Sequence, residues 1–306
     1  MSMKALALIN ETAGTVAKLG IEELRALLAE EIGAAGWTAD FETGDAGALI
    51  AAATRAKNYD AIVCAGGDGT QAGVAGALLK RDIALLPLPC GTMNLFCRDI
   101  GLSMDIKEAL VAGLAARPTR IDAGRISSAE LGERIFLNNI VFGAYADLAE
   151  AREFLREVET LDDLSFAAVH AASALANAGP ADFRLNLDGE ERLFRTNTLV
   201  VSNNRFTGSA ELIPARTRLN EGALAVYFLD AEGGASFTAR LMEFLTGGVD
   251  ESPRVEISDC IRCAVSLRDE PVIYAIDGEP RESAGEVVME ILPGALSVLA
   301  PAFSGA

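Results

Sequence analysis

The sequence predicts an α/β N-terminal domain with a parallel sheet, followed by a mostly antiparallel β C-terminal domain. Strand-like and helix-like segments alternate over the first third, and two of those early strands end in glycine-containing turns. Near residue 123 the rhythm changes to a succession of strand patterns punctuated by Asp-Gly pairs. The domains are therefore set at 1–123 and 124–306, with the C-terminal tail left free to pack back on the first.

Taken in order, residues 4–9 are an apolar strand, 21–35 a helix, 61–65 a second strand, a helix runs from Gln71, and 83–87 form a third strand. Ligands of such sheets bind at the carboxyl ends of the strands, where this chain places "CAGGDGT" and "LPLPCGTMN". Beyond Asp122, the segments 134–141, 183–187, 192–203, 223–229, 255–267 and 271–276 read as strands. Asp188-Gly189 and Asp277-Gly278 are hairpin turn signals, and 145–178 reads as a helix that is acidic at its start.

Half of the 306 residues are hydrophobic, as a folded globular chain of two domains requires. The net charge of −18, carried mainly by residues 124–306, opposes binding to nucleic acid and to anionic bilayers. No apolar run reaches the roughly 18 residues of a membrane span, and no signal peptide is visible. Five scattered cysteines without an export signal read as reduced cytoplasmic thiols. Cys260 and Cys263 lie in an alternating segment, where an offset of three sends the two thiols to opposite faces and argues against metal or redox use.

The turn after the second strand carries the chemistry. Gly67-x-Gly69-x-x-Ala72 fits a dinucleotide fingerprint, but the next strand ends in Pro87-Leu88-Pro89-Cys90 and lacks the acidic residue that holds a ribose. No lysine follows the glycines, so a Walker A loop is excluded as well. Phosphates would be held by backbone amides at a helix start and by the hydroxyls of Thr70 and Thr92, with a metal supplying positive charge. Helix capping is the competing role for both threonines. Asp68 beside phosphates must hold metal, accept a proton or order the loop. The only histidine, His170, sits in an alanine-rich helical segment, which leaves acid and base work to carboxylates.

"GGDGT" at 66–70, followed by Pro89-x-Gly91-Thr92-x-Asn94 and Arg98, resembles the signature of the diacylglycerol kinase catalytic family, which includes sphingosine, ceramide and bacterial lipid kinases. The likeness continues through Asn10 and Gly14, residues 138–143 and 203–214, and Ile276-Asp277-Gly278-Glu279-Pro280. It implies a two-domain lipid-kinase architecture that moves the γ-phosphoryl group of ATP to a lipid hydroxyl with Mg²⁺, at a site where the nucleotide and lipid domains meet. The nucleotide-binding set it implies is Thr43, Gly66, Gly67, Asp68, Gly69, Thr70, Gly91, Thr92 and Asn94. The catalytic set is Glu279 as base, with Asp68 as its rival and Asp277 in the same turn. "DGE" also occurs at 188–190, where a hairpin tip needs no function.

The departures are specific. Glu11 replaces the family's proline, and Thr15 stands where a basic residue is usual. Glu221 stands where an aspartate helps hold a structural Mg²⁺, which makes Glu221 the candidate metal ligand. Residues 206–210 replace a glycine-rich stretch. Two other readings stay open: an NAD-kinase-like enzyme for a soluble substrate, although that family's threonine-proline-threonine-glycine-serine motif is missing, and a nucleotide- or lipid-binding member that has lost catalysis. Expected partners are a lipid substrate, transient contact with a membrane and a second copy of the chain. The expected location is the cytoplasm, peripheral at the membrane.

Overall fold

The computed structural model describes residues 2–143, 180–196, 198–206, 216–229, 255–268, 270–277 and 279–301. The segment 145–178 with His170, and residues 207–210, lie outside them. The chain divides into two compact units, one of residues 1–123 and 293–306, the other of residues 124–292.

In the first unit β1 (Lys4–Asn10), β2 (Thr38–Gly44), β3 (Ala61–Gly66) and β4 (Ala84–Pro89) are joined by α1 (Gly14–Leu19), α2 (Ile21–Ala34), α3 (Ala46–Arg55) and α4 (Asp68–Leu78). Two further helices follow, α5 (Leu95–Asp99) and α6 (Ile106–Ala115). The strands run parallel in the order β2-β1-β3-β4. Both faces of β3 and β4 are buried, as a parallel sheet covered by helices requires. Leu24, Leu28 and Ile32 of α2 recur every fourth residue and form its buried stripe. α3 starts on the side chain of Asp45, which accepts from the Ala48 N–H, and α6 starts in the same way on Asp105.

β2 and α3 went unread in the sequence. β2 alternates exposed and half-buried residues at the sheet edge, so it carries almost no apolar signal.

The second unit contains β6 (Gly132–Phe136), β7 (Asn139–Gly143), β8 (Ala181–Leu187), β9 (Glu190–Thr196), β10 (Thr198–Asn203), β11 (Leu224–Leu229), β12 (Val255–Cys260), β13 (Arg262–Leu267), β14 (Val272–Ile276) and β15 (Glu279–Ser283). Two strands, β5 (Pro118–Ser128) and β16 (Val287–Leu299), begin in one unit and end in the other. At its last residues β16 lies parallel to β4, through Val298 and Leu85.

Within the second unit one sheet holds β13 between β16 and β8, with β9 beyond β8. The other runs β12-β11-β10-β7-β14-β15. Phe183, Leu185, Val265 and Met289 of the first sheet share one core with Phe142, Val201, Val226 and Tyr274 of the second. At about 1.5–3 kcal/mol for each large side chain fully buried, this interleaved layer is the main cohesive term of the unit.

Three runs that read as single strands are each divided. Residues 134–141 break at Leu137-Asn138, 192–203 divide into β9, which ends at Thr196, and β10, which begins at Thr198, and 255–267 break at Ile261. At each break the chain leaves one sheet for the other while continuing to line the same core. The last break corrects the expectation for the cysteines. Cys260 and Cys263 flank the corner, enter the same core, and their thiols are hydrogen-bonded to each other. That contact, with burial, pushes the Cys263 thiol well above its usual range, which keeps it an inert thiol.

Candidate active site

In the first unit the implicated residues gather at the carboxyl ends of the parallel strands. Register pairs Ile9 with Thr43, Asn10 with Gly44, and Gly66 with Pro89, so four strand ends finish level. Gly67 caps α4 with no side chain, and the first intrahelical bond is from Gln71 N–H to Gly67 O at 3.0 Å. The N–H groups of Gly69 and Thr70 therefore have no acceptor within their own helix, which is the donor arrangement that receives a phosphate.

The glycines have a second cause besides ligand approach. A Cβ on Gly91 would stand 2.7 Å from the Cα of Gly67, so the two loops touch backbone to backbone. A Cβ on Gly66 would stand 2.8 Å from the Cβ of Thr70. The paired Gly-Thr turns are thus one packed unit.

The polar residues of this unit divide into two groups. Thr43, Gly69 and Thr92 are exposed. Thr70 and Asn94 are turned inward and committed: the Thr70 hydroxyl accepts from Asn10 Nδ2 at 2.8 Å, and Asn10 Oδ1 accepts from both the N–H and the hydroxyl of Thr12. Asn94, in the left-handed region at φ 50°, accepts from Gly91 N–H at 2.7 Å and donates back to Gly91 O at 2.9 Å. Asp68 Oδ1 accepts from Phe96 N–H at 3.1 Å, joining the start of α4 to the first turn of α5. Arg98 is exposed and donates to Met93 O.

Gln71 escaped the sequence reading. Fully buried, it donates from Nε2 to Gly66 O at 2.8 Å and to Leu88 O at 3.0 Å, fixing the two strand ends at a common level. A polar residue opening the apolar stretch of the helix was the only available signal. Gln71→Leu leaves two buried carbonyls without their donor and is expected to cost about 1–3 kcal/mol, read as a lower urea midpoint at an unchanged slope.

In the second unit the two Asp-Gly turns do the same work at different corners. Asp277, with φ +46°, accepts from the N–H groups of Leu137, Asn138 and Asn139 at 3.2, 3.0 and 3.2 Å, where β6 ends and β7 begins. Asp188, with φ +52°, accepts from Ile261 N–H at 3.0 Å and Arg262 N–H at 2.8 Å, where β12 becomes β13. Strand corners strand N–H groups, and an aspartate at a tight turn is short enough to collect them. Glu279 opens β15, paired with Ile276; its side chain and Gly278 lie outside the described residues.

The Asp277 corner is also held from the carbonyl side. Arg216, 1% exposed, donates from Nη1 to Leu137 O at 2.7 Å and Asn203 O at 2.6 Å, and from Nη2 to Asn138 Oδ1 at 2.8 Å.

Glu221 is engaged by cationic and amide groups. Its Oε1 lies 3.0 Å from Arg218 Nη2, and its Oε2 accepts from Arg205 N–H at 3.0 Å. Among the described residues no group of three potential metal ligands forms. A guanidinium supplies positive charge at this carboxylate, and the described residues around it do not by themselves fit a structural Mg²⁺. EDTA is expected to leave the melting temperature unchanged, whereas Glu221→Ala lowers it by a few degrees through the lost loop contact. Melting curves with and without chelator check both.

Comparison with known proteins aligns with this geometry. Residues 4–126 match the family described as diacylglycerol kinase catalytic domain, and residues 140–300 match the YegS C-terminal NAD kinase beta sandwich-like domain. A Pseudomonas putida protein named "probable lipid kinase YegS-like" is 30% identical, over 88% of this chain and 88% of its own. A Pseudomonas aeruginosa protein of the same name is 30% identical over 93% and 92%. The crystal structure of a diacylglycerol kinase from Bacillus anthracis strain Sterne superposes with a TM-score of 0.67 at 18% identity, covering 97% of this chain and 96% of that one, which shows a shared fold. Among the described residues, no helix is long and apolar enough to cross a membrane.

Proposed function

This chain belongs to the lipid kinase family in which a diacylglycerol kinase catalytic domain precedes a YegS C-terminal domain, and on that premise we propose that it transfers the γ-phosphoryl group of ATP to a lipid hydroxyl, with diacylglycerol or a related lipid as acceptor. The observation that carries the reading is the start of α4, whose N–H groups have no side-chain cap and sit beside a second glycine loop at level strand ends. Those N–H groups, with the exposed Thr43 and Thr92 hydroxyls, hold the phosphates of the nucleotide. Asn10, Gln71, Asp68 and Asn94 keep the loops in register and make no direct contact with it. Mg²⁺ bound with the nucleotide would supply the positive charge that the phosphates need.

Phosphoryl transfer asks the protein mainly for positioning, plus one base. The acceptor O–H bond breaks as its oxygen bonds to the γ-phosphorus, ADP leaves, and the proton passes to a carboxylate, which we assign to Glu279. Asp277 positions the turn that carries it. The protein works from the cytoplasm and meets its acceptor by transient contact with a membrane surface.

Incubation with labelled ATP, Mg²⁺ and micelles containing diacylglycerol, sphingoid base, ceramide or phosphatidylglycerol tests the reading. Label appearing in one lipid is expected; label entering NAD alone, or no lipid, overturns it.

A further inference from the structure

The strand tips of the first unit offer a phosphate N–H groups and hydroxyls, but the loops that frame them bring carboxylates. The loop from Asn10 to Thr15 spans the tips: Glu11 N–H donates to Gly44 O at 3.1 Å, at the end of β2, and Thr15 N–H donates to Cys90 O at 3.4 Å, just past β4. It contributes the exposed Glu11 and no cation. Asp45 follows β2, and Asp68 opens α4. A helix end offsets only about half an elementary charge, so the anionic tail of a nucleotide needs a cation here.

Arg98 is placed to be that cation. It lies in α5, which follows the second glycine loop and whose first turn is tied to α4 by the bond from Phe96 N–H to Asp68 Oδ1. Its side chain runs back along the helix, and Nε donates to Met93 O at 3.2 Å, one residue from the exposed Thr92. The guanidinium is thereby carried from the last turn of α5 to the N-terminal end, at the edge of the loop that bears Gly91 and Thr92. A cation there gains nothing from the helix dipole, whose positive end is the same one.

Other bases of the first unit take carboxylates. Lys4 pairs with Asp40 at 2.7 Å, Lys107 with Glu31 at 2.6 Å, Arg120 with Asp82 at 3.0 Å and Arg55 with Glu42 at 3.5 Å. Among the described residues Arg98 makes no ion pair, in a chain whose net charge is −18. Nε is used on Met93 O, which leaves the Nη pair, the part of the fork that fits two phosphate oxygens, without a protein acceptor. Lys18, in the last turn of α1, makes no hydrogen bond to either glycine loop among the described residues.

We propose that Arg98 binds the phosphate tail of the nucleotide through its Nη groups while Nε anchors it to the loop that carries Thr92. The proposal rests on the nucleotide site assigned to these strand tips, and adds to it a side chain that supplies protein charge. A guanidinium already held by a loop carbonyl is pre-oriented, so less side-chain freedom is lost when the phosphate arrives.

Calorimetric titration of the full chain with ATP in the presence of Mg²⁺ tests this, at about 50 mM and about 500 mM potassium chloride. Wild type is expected to bind ATP, and more weakly at the higher salt. Arg98→Gln keeps a donor for Met93 O. It should weaken ATP binding about tenfold or more at low salt, and lose less affinity than wild type between the two salt concentrations. Arg98→Lys restores the charge without the fork and should fall between the two. Lys18→Gln should match wild type. Both sites are exposed, and unchanged melting temperatures confirm that each variant is folded. Equal ATP affinity in Arg98→Gln and wild type overturns the proposal and leaves the nucleotide site standing. So does a loss that is the same at both salt concentrations, or one that Arg98→Lys does not relieve, because the arginine would then only brace the loop. A wild type that binds no ATP overturns the nucleotide site itself.

Discussion

Glu279→Gln is expected to lower kcat by about 10²–10⁴-fold while leaving ATP affinity and melting temperature unchanged. Such a loss corresponds to about 3–5 kcal/mol of barrier, the range for removing a positioned general base. The amide keeps the shape of the side chain and cannot take a proton. The neighbouring aspartate is expected to behave differently. Asp277 collects three N–H groups at the β6–β7 corner, so Asp277→Ala should lower stability first and activity as a consequence. Asp68→Asn separates the remaining rival, because an asparagine oxygen can still accept from Phe96 N–H and the loop stays tied. Single-turnover rates, nucleotide titration and thermal melts on the three variants check the assignment. An intact rate in Glu279→Gln, with loss in Asp68→Asn, would move the base to the glycine loop.

How much of this was legible in the sequence depends on how local each signal is. The strands that carry the site, β1, β3 and β4, are short apolar runs ending in glycine turns, and their periodicity and punctuation identify them. β2 escaped because an exposed edge strand has no apolar face to display. The divided strands escaped for a different reason. Alternation records which residues face a core, and a strand that crosses from one sheet to the other faces the same core throughout. Nothing in the pattern of 255–267 marks Ile261, since the corner is made by Asp188, more than seventy positions earlier. The two "DGE" triplets show the same limit. As sequence they are identical, and as structure their aspartates do the same job at two corners. What distinguishes the second is the catalytic role proposed for its glutamate. In the nucleotide half, the glycines were legible as a ligand loop, but their contact with each other was not. Gly67 and Gly91 lie 24 positions apart, and only the packed strands make them neighbours.

Arg216 is expected to be the most costly single residue of the second unit to remove. Its guanidinium is almost fully buried and reaches the carbonyls of Leu137 and Asn203 and the side chain of Asn138, which belong to two separate stretches of chain. A buried cation is costly to desolvate, so retaining one requires that its donors be used. Arg216→Met fills much of the same volume but strands at least two carbonyls and an amide oxygen in an interior that water does not reach. The expected loss is about 3–5 kcal/mol, or on the order of 10 °C in melting temperature for a unit of this size. Arg216→Lys keeps the charge but replaces a planar fork by a point, which cannot serve acceptors arranged for two nitrogens, so it should recover less than half of that loss. The corner it holds is the one Asp277 holds from the N–H side, so the double substitution Arg216→Met with Asp277→Ala should cost less than the sum of the single effects. Melting both single variants and the double variant measures the coupling. Additive losses would mean that the arginine and the aspartate brace independent structures, and that the turn bearing Glu279 is fixed by Asp277 alone.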